Sequence, residues 1–60
     1  MSPFKFSLNQ VLKLNESDES GTVIGRAEYA HNEPHYLLRY RAGDGRQVES
    51  WWGESALTAA

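Results

Sequence analysis

Apolar residues recur at every second position through much of this chain, and short clusters of glycine, proline, asparagine and acidic residues interrupt them. A period of two is the spacing of side chains on one face of a half-buried strand. Gln10 to Leu14 is the first such run, and Asn15 to Gly21 after it holds turn formers and charge, which predicts a solvated loop. Thr22 to Tyr29 reads as a longer strand, with Val23, Gly25, Ala27 and Tyr29 on its core face and Thr22, Ile24, Arg26 and Glu28 on the other. Gly25 inside it marks a bulge or a close backbone approach. Ala30 to Pro34 is the next loop, and His35 to Arg41 alternates Tyr36, Leu38 and Tyr40 against Leu37, Arg39 and Arg41. Ala42-Gly43-Asp44-Gly45 predicts a tight hairpin, because glycine takes positive φ at little cost, and Arg46 to Trp52 is the return strand. Gly53 to Leu57 is too short for a stable helix and predicts a single tight turn before a last short strand, with Leu57 closing the core.

Five short strands leave sheet edges that only closure or association removes, so the pattern predicts an all-β, five-stranded SH3-like barrel with a short single-turn helix before the last strand. At 60 residues the chain holds one domain, residues 1–60, with residues 1–5 and 58–60 expected to be loose. A chain of this size buries only roughly 60% of its surface on folding. Small domains usually add disulfides, a metal or a partner, and the absence of cysteine leaves self-association, as a dimer or tetramer, as the expected support. The net charge of −2 argues against strong duplex nucleic-acid binding, although Arg26, Arg39, Arg41 and Arg46 make the middle mildly basic. No apolar stretch approaches the ~20 residues of a membrane helix, and the N-terminal residues lack the apolar core of a signal peptide. The expected compartment is the cytoplasm, with no membrane partner.

The run from Phe6 to Leu57 resembles an SH3-like small-barrel family: the strand Gln10 to Leu14, a polar loop, Gly21-Thr22-Val23-Ile24-Gly25, the strand Tyr36 to Tyr40, and Trp51-Trp52 leading into Ser55-Ala56-Leu57. In fold it is similar to the plasmid-borne, trimethoprim-insensitive type II dihydrofolate reductases. That resemblance implies a homotetramer with a central pore binding NADPH and dihydrofolate. The family's pore strand carries Val-Gln-Ile-Tyr, and Glu49-Ser50-Trp51-Trp52 stands in its place, matching at none of the four positions. The resemblance therefore carries the fold further than the activity.

Trp51 and Trp52 are adjacent in a strand, so their indoles point to opposite faces and one is expected at the surface as an interface anchor. Parity groups Trp52 with Ser50 and Val48, and Trp51 with Glu49 and Gln47. Trp52 is expected on an apolar surface and Trp51 over the neighbouring sheet edge. Tyr29, Tyr36 and Tyr40 with the tryptophans offer an aromatic cage for a cation or a platform for a peptide, although the alternation of Tyr36 and Tyr40 with Leu38 also fits core packing. His31, Glu33 and His35 have zinc-like spacing only on a helix, which Pro34 prevents, so no metal is expected. Glu16, Asp18 and Glu19 lack calcium-loop spacing, and Gly43-Asp44-Gly45 leads into a strand rather than the helix that a phosphate loop needs. Ser50 and Ser55 have no base beside them in sequence, so no catalytic residue is assigned.

The expected function is a small non-enzymatic binding or adaptor module, of the kind found as phage or mobile-element accessory proteins. It would bind itself, a peptide or another protein through Trp51, Trp52, Ser50, Glu49, Arg39, Arg41 and Tyr40, without a cofactor. One alternative is an NADPH-dependent reductase of the kind just described. Another is a single-strand nucleic-acid binder that stacks bases on aromatics beside Arg39 and Arg41, with steep salt dependence.

Overall fold

The computed structural model describes residues 4–17, 19–41 and 43–60. Its elements are β1 (Val11–Leu14), β2 (Ser20–Ala27), β3 (His35–Arg41), β4 (Gln47–Gly53), one 3-10 turn (Glu54–Ala56) and β5 (Leu57–Ala59). The all-β class and the lone turn before the last strand are those the periodicity predicts. Every neighbouring pair is antiparallel, in the order β4-β3-β2-β1-β5. β4 and β5 are the two edges, and no hydrogen-bonded pairing of described strands joins them to close the sheet.

One face of the sheet carries the core. Leu12, Val23, Tyr36 and Leu38 are fully buried, Phe6, Leu14 and Leu57 nearly so, and Phe4, Tyr40 and Trp52 pack against them. The period-two reading of β3 holds: Tyr36 and Leu38 are buried and Tyr40 is half-buried on one side, while Arg39 and Arg41 are exposed on the other. Leu57 closes the core where expected.

The reading of β2 needs correction beyond Val23. Val23 faces Leu38 but Gly25 faces Leu37, so Ile24 is the extra residue of a bulge. One inserted residue reverses which face every later side chain takes. Arg26 therefore faces Tyr36, on the core side, while Gly25 and Ala27 fall on the other side opposite Leu37 and His35. The Arg26 guanidinium lies 4.4 Å from the centre of the Phe4 ring and donates to the Phe6 carbonyl at 3.2 Å, so one group covers aromatic surface and satisfies a backbone acceptor. Tyr29 lies beyond the strand and is exposed, its ring edge-on to His35 at 5.0 Å. The loop before β2 is also shorter than expected, because Ser20 and Gly21 already pair with Lys13 and Leu12.

Backbone bonds replace regular pairing next to the bulge. The Val23 N–H donates to the Gln10 carbonyl at 2.9 Å, and the Asn9 N–H donates to the Val23 carbonyl at 2.8 Å. Asn9 reaches this position at φ 71, a left-handed conformation that asparagine tolerates better than most residues. The hairpin between β3 and β4 turns on Gly45, at φ 87, while the Asp44 side chain accepts from the Arg46 N–H at 3.0 Å.

A buried phenol ties the N-terminal segment to the sheet. The Tyr36 hydroxyl donates to Glu54 Oε2 at 2.6 Å and accepts from the Lys5 N–H at 3.0 Å and the Phe6 N–H at 3.3 Å. Phe4 and Phe6 meet its ring edge-on, with centroids 6.0 and 5.3 Å away. Burial, and then the bond to the Glu54 carboxylate, push the phenol above its ordinary pKa.

Candidate functional site

Strand register divides the residues expected to form one contact surface. Tyr40 pairs with Val48, Leu38 with Ser50 and Tyr36 with Trp52, so Tyr40, Ser50 and Trp52 lie on the core side. Arg39 pairs with Glu49, Arg41 with Gln47 and Leu37 with Trp51, so Arg39, Arg41, Glu49 and Trp51 lie on the outer side. The tryptophans do separate, as adjacent strand residues must. Trp52 packs against the core and Trp51 is 51% exposed. Trp51 leans inward rather than over the edge: its Cη2 lies 3.7 Å from where a Cβ on Gly25 would stand, beyond Leu37. The bare glycine leaves the shelf on which the indole rests.

Beside Trp51 the Arg39 Nη2 and Nε each lie 3.0 Å from Glu49 Oε2. Both side chains are about half exposed, so the pair contributes at most about 1 kcal/mol and weakens with salt. It nevertheless fixes the charges of this face in a cross-strand row. Arg41, at the end of β3, borders a shallow hollow with Arg39, Tyr40 and Gln47.

The concave site is on the opposite face. On the core side a cavity of about 150 Å³ opens, lined by Tyr40, Trp52, Leu14 and Ala56 together with Glu16, Ser17 and Glu19 of the β1–β2 loop. Its floor is apolar and aromatic and its rim carries two carboxylates. The Trp52 Nε1–H is buried with no hydrogen-bond acceptor among the described residues, a group that costs free energy until an acceptor reaches it. Sequence reasoning named Tyr40 and Trp52 but treated Glu16 and Glu19 only as solvated loop residues. Alternation within strands could not show that this loop folds back over the end of β3.

The aromatic cage expected from the three tyrosines does not assemble. Tyr36 is wholly inside the core and Tyr29 is across the bulge on the exposed side, which leaves Tyr40 with Trp52. The His31, Glu33 and His35 segment is not helical, and among the described residues no group of three or more potential metal ligands converges. Glu33 instead clamps the 3-10 turn: its Oε1 accepts from the Ser55 N–H at 2.7 Å and its Oε2 from the Ser55 hydroxyl at 3.0 Å. His35 Nδ1 meets the Glu33 carbonyl at 2.9 Å and not the serine. The serine and carboxylate thus meet without a histidine between them, and no relay for nucleophilic attack is formed by these three residues.

The chain matches no protein-family model and no curated protein. No helix among the described residues is long and apolar enough to cross a membrane.

Proposed function

We propose that the protein is a binding module on a small SH3-like barrel scaffold, and that the Tyr40–Trp52 cavity receives a basic side chain, foremost arginine, from a peptide or protein partner. The observation that carries this is the juxtaposition of the Tyr40 and Trp52 rings with the Glu16 and Glu19 carboxylates around one cavity. A guanidinium fits such a lining because its faces stack on aromatic rings while its edge donates in a fork to carboxylates. The unpaired Trp52 Nε1–H suits the carbonyl of a bound backbone once the ring shifts to expose it.

This reading suits the cavity better than an anionic dinucleotide, which the two carboxylates repel. It also suits the cavity better than single-strand nucleic acid, whose phosphates the same carboxylates repel. The outer face, where Arg39 and Arg41 stand with the exposed Trp51, is the one such a strand would use.

The test is a titration in a Trp51→Phe background, where Trp52 alone reports. Blocked peptides of equal length carry one arginine or one citrulline. The arginine peptide is expected to change Trp52 emission and to bind more weakly as salt rises. Combining Glu16→Gln with Glu19→Gln is expected to weaken it about tenfold, equivalent to roughly 1.4 kcal/mol. Equal binding of the citrulline peptide would overturn the proposal. A response to NADPH with none to either peptide would return attention to the reductase reading.

A further inference from the structure

β4 (Gln47–Gly53) has one neighbour, β3, and its other side faces no strand among the described residues. Edge strands are normally kept from pairing by shortness, proline, a bulge or an inward-pointing charge. β5 is protected by its length of three residues. β4 has none of these devices: it runs seven residues in unbroken register with β3, contains no proline, and presents Val48, Ser50 and Trp52 on its core side. Its one charged residue, Glu49, points to the outer face and is already paired with Arg39.

From this edge we infer that two copies of the chain pair β4 with β4, antiparallel about a two-fold axis at Ser50, so that the sheet continues from one molecule into the next. A two-fold axis makes an isologous contact, in which one residue must face its own copy. Ser50 is the midpoint of Gln47–Gly53, so centring there uses the whole strand. It sets Val48 opposite Trp52 of the second copy twice, on the face where Trp52 packs against the core and Val48 pairs with Tyr40. It also sets Glu49 opposite Trp51, and Arg46 of each copy level with Glu54 of the other. Glu54 has capacity to spare, since Tyr36 and Lys5 bond only its Oε2. Centring on Glu49 would oppose two carboxylates, and centring on Trp51 would leave Gln47 and Val48 outside the ladder. The inference does not depend on the cavity reading, because pairing uses the backbone of β4 and not the cavity rim.

The chain contains no cysteine, which makes the register directly testable. Facing residues of an antiparallel pair have Cα atoms about 4.5–5.5 Å apart, within disulfide reach. Wild-type protein is expected to sediment as a dimer at tens of micromolar, on the order of the concentrations at which modest interfaces assemble. Ser50→Cys is expected to form the 50–50 disulfide roughly a hundredfold faster than Thr58→Cys on β5, because pairing gives the facing thiols millimolar effective concentration. A monomer at every concentration overturns the inference, and so do equal cross-linking rates at the two positions. If Ser50→Cys loses native tryptophan emission, amide hydrogen exchange of the wild type decides. Protection that grows with concentration across Gln47–Gly53 supports β4 pairing, and its absence there overturns it.

Discussion

Tyr36 joins three parts of the chain through one oxygen, accepting from two N-terminal amides and donating to Glu54. Phenylalanine keeps the ring and its aromatic contacts but strands the Phe6 N–H, while the Lys5 N–H and Glu54 Oε2 keep each other. Tyr36→Phe is therefore expected to cost about 1–3 kcal/mol in urea unfolding. The raised pKa of the phenol gives this contribution a sign with pH. It is whole below the ordinary tyrosine value of 10.0 and is lost as pH rises through the higher folded value, because the unfolded chain releases its proton first. Stability of the wild type should fall more steeply above pH 10 than that of Tyr36→Phe, and equal slopes would remove Tyr36 from the alkaline transition. Gly53 makes a second case. A Cβ there would run into the Glu33 carboxylate, so Gly53→Ala should displace the clamp on Ser55. In a double-mutant cycle, Glu33→Ala is expected to absorb most of the Gly53→Ala cost, whereas additive costs would mean that the backbone, not the carboxylate, objects to the methyl.

The elements depend on two glycines of β2 that act through proximity. A Cβ on Gly21 would lie 3.1 Å from both the Arg39 carbonyl oxygen and Tyr40 Cβ, on the buried side of the sheet. A Cβ on Gly25 would lie 3.3 Å from Leu37 Cβ and 3.7 Å from Trp51, on the side that can give way. Gly21→Ala should thus cost about 1–3 kcal/mol, the usual range for overpacking, and Gly25→Ala distinctly less, with chemical denaturation ranking the two. The same strand shows how far the sequence can be read. Its existence, its glycine irregularity and the alternation of β3 follow from period two and turn chemistry. The face taken by Arg26 and Ala27 does not, because a single inserted residue at Ile24 inverts it, and local pattern fixes neither the side of Gly25 on which the insertion falls nor its consequence. The separation of Trp51 from Trp52 was legible for the opposite reason, since β4 has no insertion and parity holds throughout. The cavity was half legible: Tyr40 and Trp52 lie in strands, while Glu16 and Glu19 reach it through a loop whose path depends on packing.

At the scale of the whole molecule, the accessible surface of 4140 Å² matches the value of about 4,000 Å² expected for a chain of this mass. Stability of about 0.05–0.15 kcal/mol per residue then leaves roughly 3–9 kcal/mol for the whole fold. Leu37 and Leu38 are the same side chain at adjacent positions of β3, yet Leu38 is wholly buried between Val23 and Ser50 and Leu37 is only partly buried between Gly25 and Trp51. Leu38→Ala should cost about 2–5 kcal/mol through the cavity it leaves, enough to unfold a large share of the protein at room temperature. At about 4–8 °C per kcal/mol, its thermal midpoint should fall by roughly 10–40 °C. Leu37→Ala should lower the midpoint far less, because little packed surface is lost on the outer face. Comparing both variants at low and high protein concentration makes the contrast sharper. Pairing through β4 stabilises the folded state of each by mass action, so both midpoints should rise together with concentration. A rise in the wild type and Leu38→Ala that is absent from Leu37→Ala would instead locate the contact between copies on the outer face, around Leu37 and Trp51.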